Sequence, residues 1–129
     1  MSATAIRAGK VLFALIFILA APRHFSTEGI QHAAELGTPF AHILVPISGV
    51  MALAGGLSVA TGYKERWGAW ILIAFLIPVT LFMHEFWRAP NAADSHVQLS
   101  MFAKNIAMIG AALVLTQRGA PPPKERARA

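Results

Sequence analysis

Leu81-Phe82-Met83-His84-Glu85-Phe86-Trp87-Arg88 is the place where a long apolar run, begun near Trp67, abruptly acquires an imidazole, a carboxylate and a guanidinium. A run of that length reads as a membrane span, because about 20 apolar residues cross the ~30 Å hydrocarbon core. Polar chemistry at its end marks either the interface or a site. A later apolar run carries Lys104-Asn105, and an ionisable group inside a span needs a partner or a watery cavity. The pattern predicts that the two places meet.

The composition fixes the solvent. Hydrophobic residues make up 56% of the 129 and charged residues only 13%, with mean hydropathy +0.56, whereas soluble domains carry roughly 25% charged residues. The net charge of +5 does not point to nucleic acid, since no basic helix, aromatic-interleaved patch or zinc spacing accompanies it. The absence of cysteine removes disulfides, thiol nucleophiles, CxxC redox centres and thiolate metal sites together. A redox role therefore requires a bound cofactor.

Outward from the opening stretch, four spans are predicted at about 6–22, 39–60, 67–87 and 97–115. The first reaches spanning length if Arg7 and Lys10 snorkel to the interface. A cleavable signal peptide shares its basic-then-apolar pattern, but Pro22 follows Ala20-Ala21 and three more apolar runs come after it. Residues 26–37 predict a short amphipathic helix, N-capped by Ser26 or Thr27, with Glu28 in its first turn and Gly37 at its stop. Too short to span, it is expected to lie at the interface as a lid. The second span holds Pro46 and small residues at four-residue spacing, Ser48, Ala52, Gly56 and Ala60, suited to close helix approach within the bundle rather than between copies. Residues 62–66 form a tight polar turn, Pro78 interrupts the third span, and the proline-rich tail 119–129 is expected to be disordered. The expected fold is all-α: an integral membrane four-helix bundle with a short interfacial helix between helices 1 and 2, one domain over residues 1–118.

Four spans put both termini on one side. Arg7, Lys10, Lys64, Arg66, Arg118, Lys124, Arg126 and Arg128 fall there, against Arg23 and Arg88 on the other. This asymmetry predicts cytoplasmic termini. It also gathers His24, His32, His42, His84 and His96 at the outer ends of the spans. No H-x-x-x-H or H-E-x-x-H spacing occurs, so no metal is expected.

On a continuous third helix His84 and Arg88 sit one turn apart, and Glu85 lies about 100° round from His84. Lys104 lies ~10 Å inside the fourth span, a depth at which a Glu85–Lys104 ion pair is natural. Two readings follow. In one, these groups merely lock the bundle. In the other, His84, Glu85, Arg88, Lys104, Asn105 and Arg23 line an outer-leaflet pocket between the third and fourth spans, walled by Phe82, Phe86, Trp87, Met101 and Phe102. Such a pocket suits a flat amphiphile such as a quinone.

The sequence resembles the DoxX family of small bacterial membrane proteins. The resemblance rests on Ile18-Leu19-Ala20-Ala21-Pro22-Arg23 ending the first span, Glu35-Leu36-Gly37-Thr38-Pro39 before the second, Gly55-Gly56-Leu57 through Gly62-Tyr63-Lys64, His84-Glu85-Phe86-Trp87, and Phe102-Ala103-Lys104-Asn105. At Ala52 the chain departs from it, since many members carry a glutamate there, which argues against a mechanism built on that carboxylate. The resemblance implies a four-helix membrane protein of the bacterial inner membrane. Some relatives are subunits of thiosulfate:quinone oxidoreductase or partners in oxidant-defence complexes.

The expectation carried forward is thus a lipid-embedded subunit of a quinone-linked redox system, served by a redox partner protein. The alternatives are a non-catalytic scaffold that docks a partner protein, and a four-helix transporter. The first two spans lack the deep carboxylate that such transporters need. Substrate, oligomeric state and catalytic activity are not specified by the sequence.

Overall fold

A computed structural model of the chain describes residues 2–118. The expected disordered tail, 119–129, lies outside the described residues. The described chain is helical, with no strand: α1 (Ala3–Ala20), α2 (Thr27–Glu35), α3 (Ala41–Thr61), α4 (Glu65–Met83) and α5 (Ala92–Thr116), with 3₁₀ segments at Ala21–Phe25 and Phe86–Arg88. Four stretches are long and apolar enough to cross a membrane: Ala3–Phe25, Ala41–Thr61, Glu65–Arg88 and Ala92–Thr116. The protein is an all-α helical bundle of the membrane type.

Local chemistry sets the helix ends. Ser2 Oγ accepts from the Ala5 N–H at 3.1 Å and caps α1. Pro22 enters the first 3₁₀ segment at a position that needs no N–H. Ser26 Oγ then accepts from the Gly29 N–H at 3.0 Å and starts α2, with Glu28 favoured by the positive end of the helix dipole. Gly37 leaves α2 at φ 91°, in the left-handed region that glycine enters without penalty. The interfacial helix is where the sequence predicts it.

This lid folds back on the end of α3, burying Ala33 against Ala41 and Val45. It can do so because of Gly29. A Cβ there would stand 2.1 Å from the Arg23 carbonyl oxygen, so any side chain would push α2 off the segment that precedes it.

At the centre, α3 packs on α1 and on α4, and α4 packs on α5, while α1 and α5 share no comparable seam. The small residues of α3 make this possible. Ala52 is fully buried, and a Cβ on Gly56 would meet Ile18, Ala14 and Phe17 of α1 at 3.1–3.4 Å. A Cβ on Gly55 would stand 2.7 Å from Leu72 of α4. The small-residue stripe thus faces neighbours within the chain, closed by Phe17 meeting Phe75 edge-on at 6.0 Å. Large apolar side chains point the other way, Leu12 and Val114 being 70% and 68% exposed. Lipid tails are as apolar as leucine, so this outward display costs nothing in a membrane.

At the end bearing the α3–α4 turn, Glu65 ties three helices. Its Oε2 accepts from Lys10 Nζ at 2.6 Å, and its Oε1 stands 4.0 Å from Arg118 Nε.

The far end of α4 corrects the sequence reading. The helix stops at Met83 and His84 turns out of it at φ −128°, ψ 50°, so His84 and Arg88 do not share a helical face. The causes lie downstream. Pro90 holds the residue before it extended, Ala89 having φ −66° and ψ 140°. Ser95 Oγ donates to the Phe86 carbonyl at 3.0 Å, and the Phe86 ring packs edge-on to Trp87 and Phe102 at 5.0 and 5.3 Å. Asn91 then caps α5, its Oδ1 accepting from the Asp94 N–H at 2.8 Å, so that helix starts five residues ahead of the predicted span.

Candidate functional site

The principal cavity lies between the Ala21–Phe25 segment, α2, α3 and α4, with a volume of about 430 Å³. That is within the ~300–1,000 Å³ range of small-ligand pockets. Its walls are mostly apolar, with Val45 and Met51 from α3 and Phe75, Val79 and Phe82 from α4. Arg23, His24, Ser48, Thr38 and His84 supply its polar groups.

His24 is fixed by its surroundings. Ser48 Oγ donates to the Val45 carbonyl at 2.6 Å, which uses its only proton. It therefore accepts from His24 Nδ1–H, 2.7 Å away, and the neutral ring keeps its lone pair on Nε2. The ring also stands 5.5 Å from that of Phe75. Gly49 makes room, because a Cβ there would lie 2.6 Å from His24 Cβ and 2.9 Å from Phe25 Cζ.

His84 is held in a similar way from a different helix. Its Nδ1 stands 2.9 Å from Gln98 Oε1 of α5. An amide oxygen only accepts, so Nδ1 carries the proton and Nε2 is again the acceptor. One cavity is thus lined by two imidazoles, each oriented through Nδ1 and each with Nε2 uncommitted, and by Arg23.

A smaller cavity of about 260 Å³ adjoins it, sharing Phe82 and Met83 as a common wall. Glu85 and Arg88 line this one and pair at 3.0 Å, with the Arg88 side chain 70% exposed.

The structure therefore redistributes the predicted site residues. Arg23 and His84 line the principal cavity, and Glu85 and Arg88 the smaller one. Between the third and fourth spans the smaller cavity lies at the end bearing the Asn91 loop, with Phe82 and Glu85 on one side and Val97 and Gln98 on the other, and beside it Phe86, Trp87 and Phe102 form an edge-to-face cluster, Trp87 and Phe102 at 6.1 Å. Deeper in the same seam Asn105 is 3% exposed and its Nδ2 donates to Thr80 Oγ1 at 3.0 Å, which in turn donates to the Leu76 carbonyl at 2.6 Å. The expected Glu85–Lys104 ion pair does not form. Neighbours on a helix point about 100° apart, so with Asn105 in the seam Lys104 faces outward, and among the described residues its Nζ has a hydrogen-bond contact with Met101 Sδ alone, at 3.4 Å.

Two cavity residues, His24 and Ser48, lay outside the predicted ligand set. The sequence does hold a signal for them, since Ser48 is the polar member of the small-residue stripe and His24 directly follows Pro22-Arg23. Among the described residues no group of three or more His, Asp or Glu side chains is arranged to hold a metal ion.

Comparison with curated proteins and with solved structures finds no match. Comparison with family profiles matches DoxX over residues 5–85, a segment that runs from α1 to just past α4 and contains every residue lining the principal cavity. With nearly two thirds of its length matched and four helices apolar enough to span a bilayer, this multi-pass chain belongs to the DoxX family.

Proposed function

We propose that the protein is the membrane subunit of a quinone-linked redox system and binds a quinone or hydroquinone in the cavity between the Ala21–Phe25 segment, α2, α3 and α4. The observation that carries this reading is the pair of imidazoles, His24 and His84, on one largely apolar cavity, each bonded through Nδ1 to a neighbouring side chain. Neutral Nε2 is an acceptor, matched to the O–H of a hydroquinone. Protonated Nε2 is a donor, matched to the carbonyl of a quinone. Phe75 and Phe82 suit the faces of a flat ring, and an isoprenoid tail is compatible with the lipid around the bundle. Reduction of a quinone takes up two electrons and two protons. Imidazoles are suited to the protons, while the electrons come from a partner protein that carries its own redox centre. Arg23 at the principal cavity, or Arg88 beside the smaller one, attracts an anionic head or substrate.

The same reading sets both termini in the cytoplasm of a bacterial inner membrane. It is supported by the clustering of Arg7, Lys10, Lys64, Arg66 and Arg118 at one end of the helices and of only Arg23 and Arg88 at the other.

The test is protein purified in nanodiscs cut from native membranes, extracted with solvent and assayed for quinone, followed by titration of the quinone-free protein with a short-chain ubiquinone or menaquinone analogue. About one quinone per chain is expected, with saturable binding that weakens at least tenfold in His24→Leu and in His84→Leu and is unchanged in Lys104→Met. No co-purifying quinone together with no saturable binding would overturn the reading.

A further inference from the structure

We propose that the outward face of α5 around Lys104 docks a transmembrane helix of a second protein that carries an aspartate or glutamate at matching depth. This stands on different residues from the cavity and holds whatever the cavity binds.

Lys104 is the midpoint of α5, twelve residues from Ala92 and from Thr116, so by helix rise it lies ~18 Å from either end. It is exposed on the bundle surface, where the solvent at that depth is lipid. A lysine there costs roughly 2.5–3.5 kcal/mol on insertion scales unless it finds a partner or the interface. Its sole hydrogen-bond contact among the described residues is the Met101 thioether, a weak acceptor. Five of the six acidic residues are described, and none offers a carboxylate. Glu65 is held by Lys10 and Arg118, Glu85 by Arg88, and Asp94 by Asn91. Glu28 and Glu35 sit on the lid.

The surface beside the ammonium is shaped for a helix. Ser100, Ala103, Ala107 and Ala111 are all exposed and lie one turn apart along the face that holds Lys104. A Cβ on Gly110 would meet nothing within 4 Å. Such a surface lets a foreign backbone come close. Among the long helices α5 packs chiefly on α4, and only 17% of its apolar window is buried, so the face that holds Lys104 is unoccupied within the described bundle.

Charge decides the occupant. A second copy in the same membrane, related by a twofold axis along the membrane normal, would set Lys104 against Lys104 with no carboxylate to separate them. A phospholipid phosphate is reachable only by stretching to the headgroups. A carboxylate on a neighbouring helix lies at the lysine's own depth, and in lipid the pair is screened by no salt.

The test uses the full chain in its own cells, with benzoylphenylalanine placed at Ala103 or Ala107 and, as a lipid-facing control, at Leu12. After irradiation the cross-linked peptides are identified by mass spectrometry. The expected result is a helix of another membrane protein bearing Asp or Glu within about one turn of the cross-link, seen from positions 103 and 107 and not from 12. Lys104→Met should lower the yield at least tenfold and Lys104→Arg should retain it. Lys104→Glu should recover it only when the partner's carboxylate is changed to Lys. Adducts to phospholipid alone, adducts to a second copy of this chain, or a yield unchanged in Lys104→Met would each overturn the proposal.

Discussion

Removing the Thr80 hydroxyl should damage the bundle more than removing the Asn105 amide, although the two groups make one hydrogen bond. In the α4–α5 seam Asn105 Nδ2 donates to Thr80 Oγ1, and Thr80 Oγ1 donates to the Leu76 carbonyl. Thr80 is 2% exposed and Asn105 3%. Thr80→Val keeps the shape but strands the Asn105 donor where neither water nor another acceptor reaches it, at a cost of about 1–3 kcal/mol. Asn105→Leu removes the donor itself and leaves the Thr80 proton on Leu76, so it should stay within ~1 kcal/mol of the parent. With both partners apolar the double variant should also be nearly neutral. The coupling from the resulting cycle should then match the stranded-donor penalty, about 1–3 kcal/mol, above the ~0.6 kcal/mol average for membrane helix pairs. Steric-trap unfolding in neutral bicelles reads these differences directly. If Asn105→Leu costs as much as Thr80→Val, or if the two costs simply add, the chain of donors is wrong. If Asn105→Leu abolishes quinone binding, the seam is a ligand site and the cavity assignment fails with it.

Three further perturbations probe other parts of the structure. Gly29→Ala should loosen α2, because the new methyl would collide with the Arg23 carbonyl; hydrogen exchange across Thr27–Glu35 should speed up while exchange in α5 stays unchanged. Lys10→Met should lower stability by about 1–3 kcal/mol, since it leaves Glu65 with only the more distant Arg118. Adding Glu65→Leu should restore most of that loss, and a double variant less stable than Lys10→Met would refute the account. Reporter fusions should give a cytoplasmic signal after Thr116 and a periplasmic one in the Asn91 loop, and the reverse pattern would invert the proposed orientation.

The helices were legible because apolar runs of spanning length, Ser26 as a cap, Gly37 as a stop and the polar turn near Gly62 are local signals. The directions of side chains within the spans were not. In water, large apolar residues mark the inward face, but in lipid that rule reverses or vanishes. The buried face of α5 is Asn105, Ala112 and Thr116, while Leu113 and Val114 face out. Helix period alone says that Lys104 and Asn105 cannot both enter the seam, and it does not say which one does. The end of α4 was illegible for a different reason. Pro78 is the visible interruption, yet the helix runs on to Met83 and breaks where Ala89-Pro90 and the Phe86–Phe102 contact capture the chain. Those contacts are set by tertiary packing. His24 was hidden likewise, since its tie to Ser48 joins residues 24 positions apart.

Pro78 carries a further meaning for the cavity it lines. Lacking an N–H, it cannot bond the Ala74 carbonyl one turn back, and Ala74 lines the same cavity. The Ala74 carbonyl is therefore left without its helical N–H partner in a residue that lines the cavity. An alanine scan of the lining would pass over it, because changing Ala74 leaves its carbonyl in place. Only a change at Pro78, which would return an N–H to that carbonyl, alters this. One imino acid thus governs a main-chain group beside the cavity that substitutions at the other lining positions leave untouched.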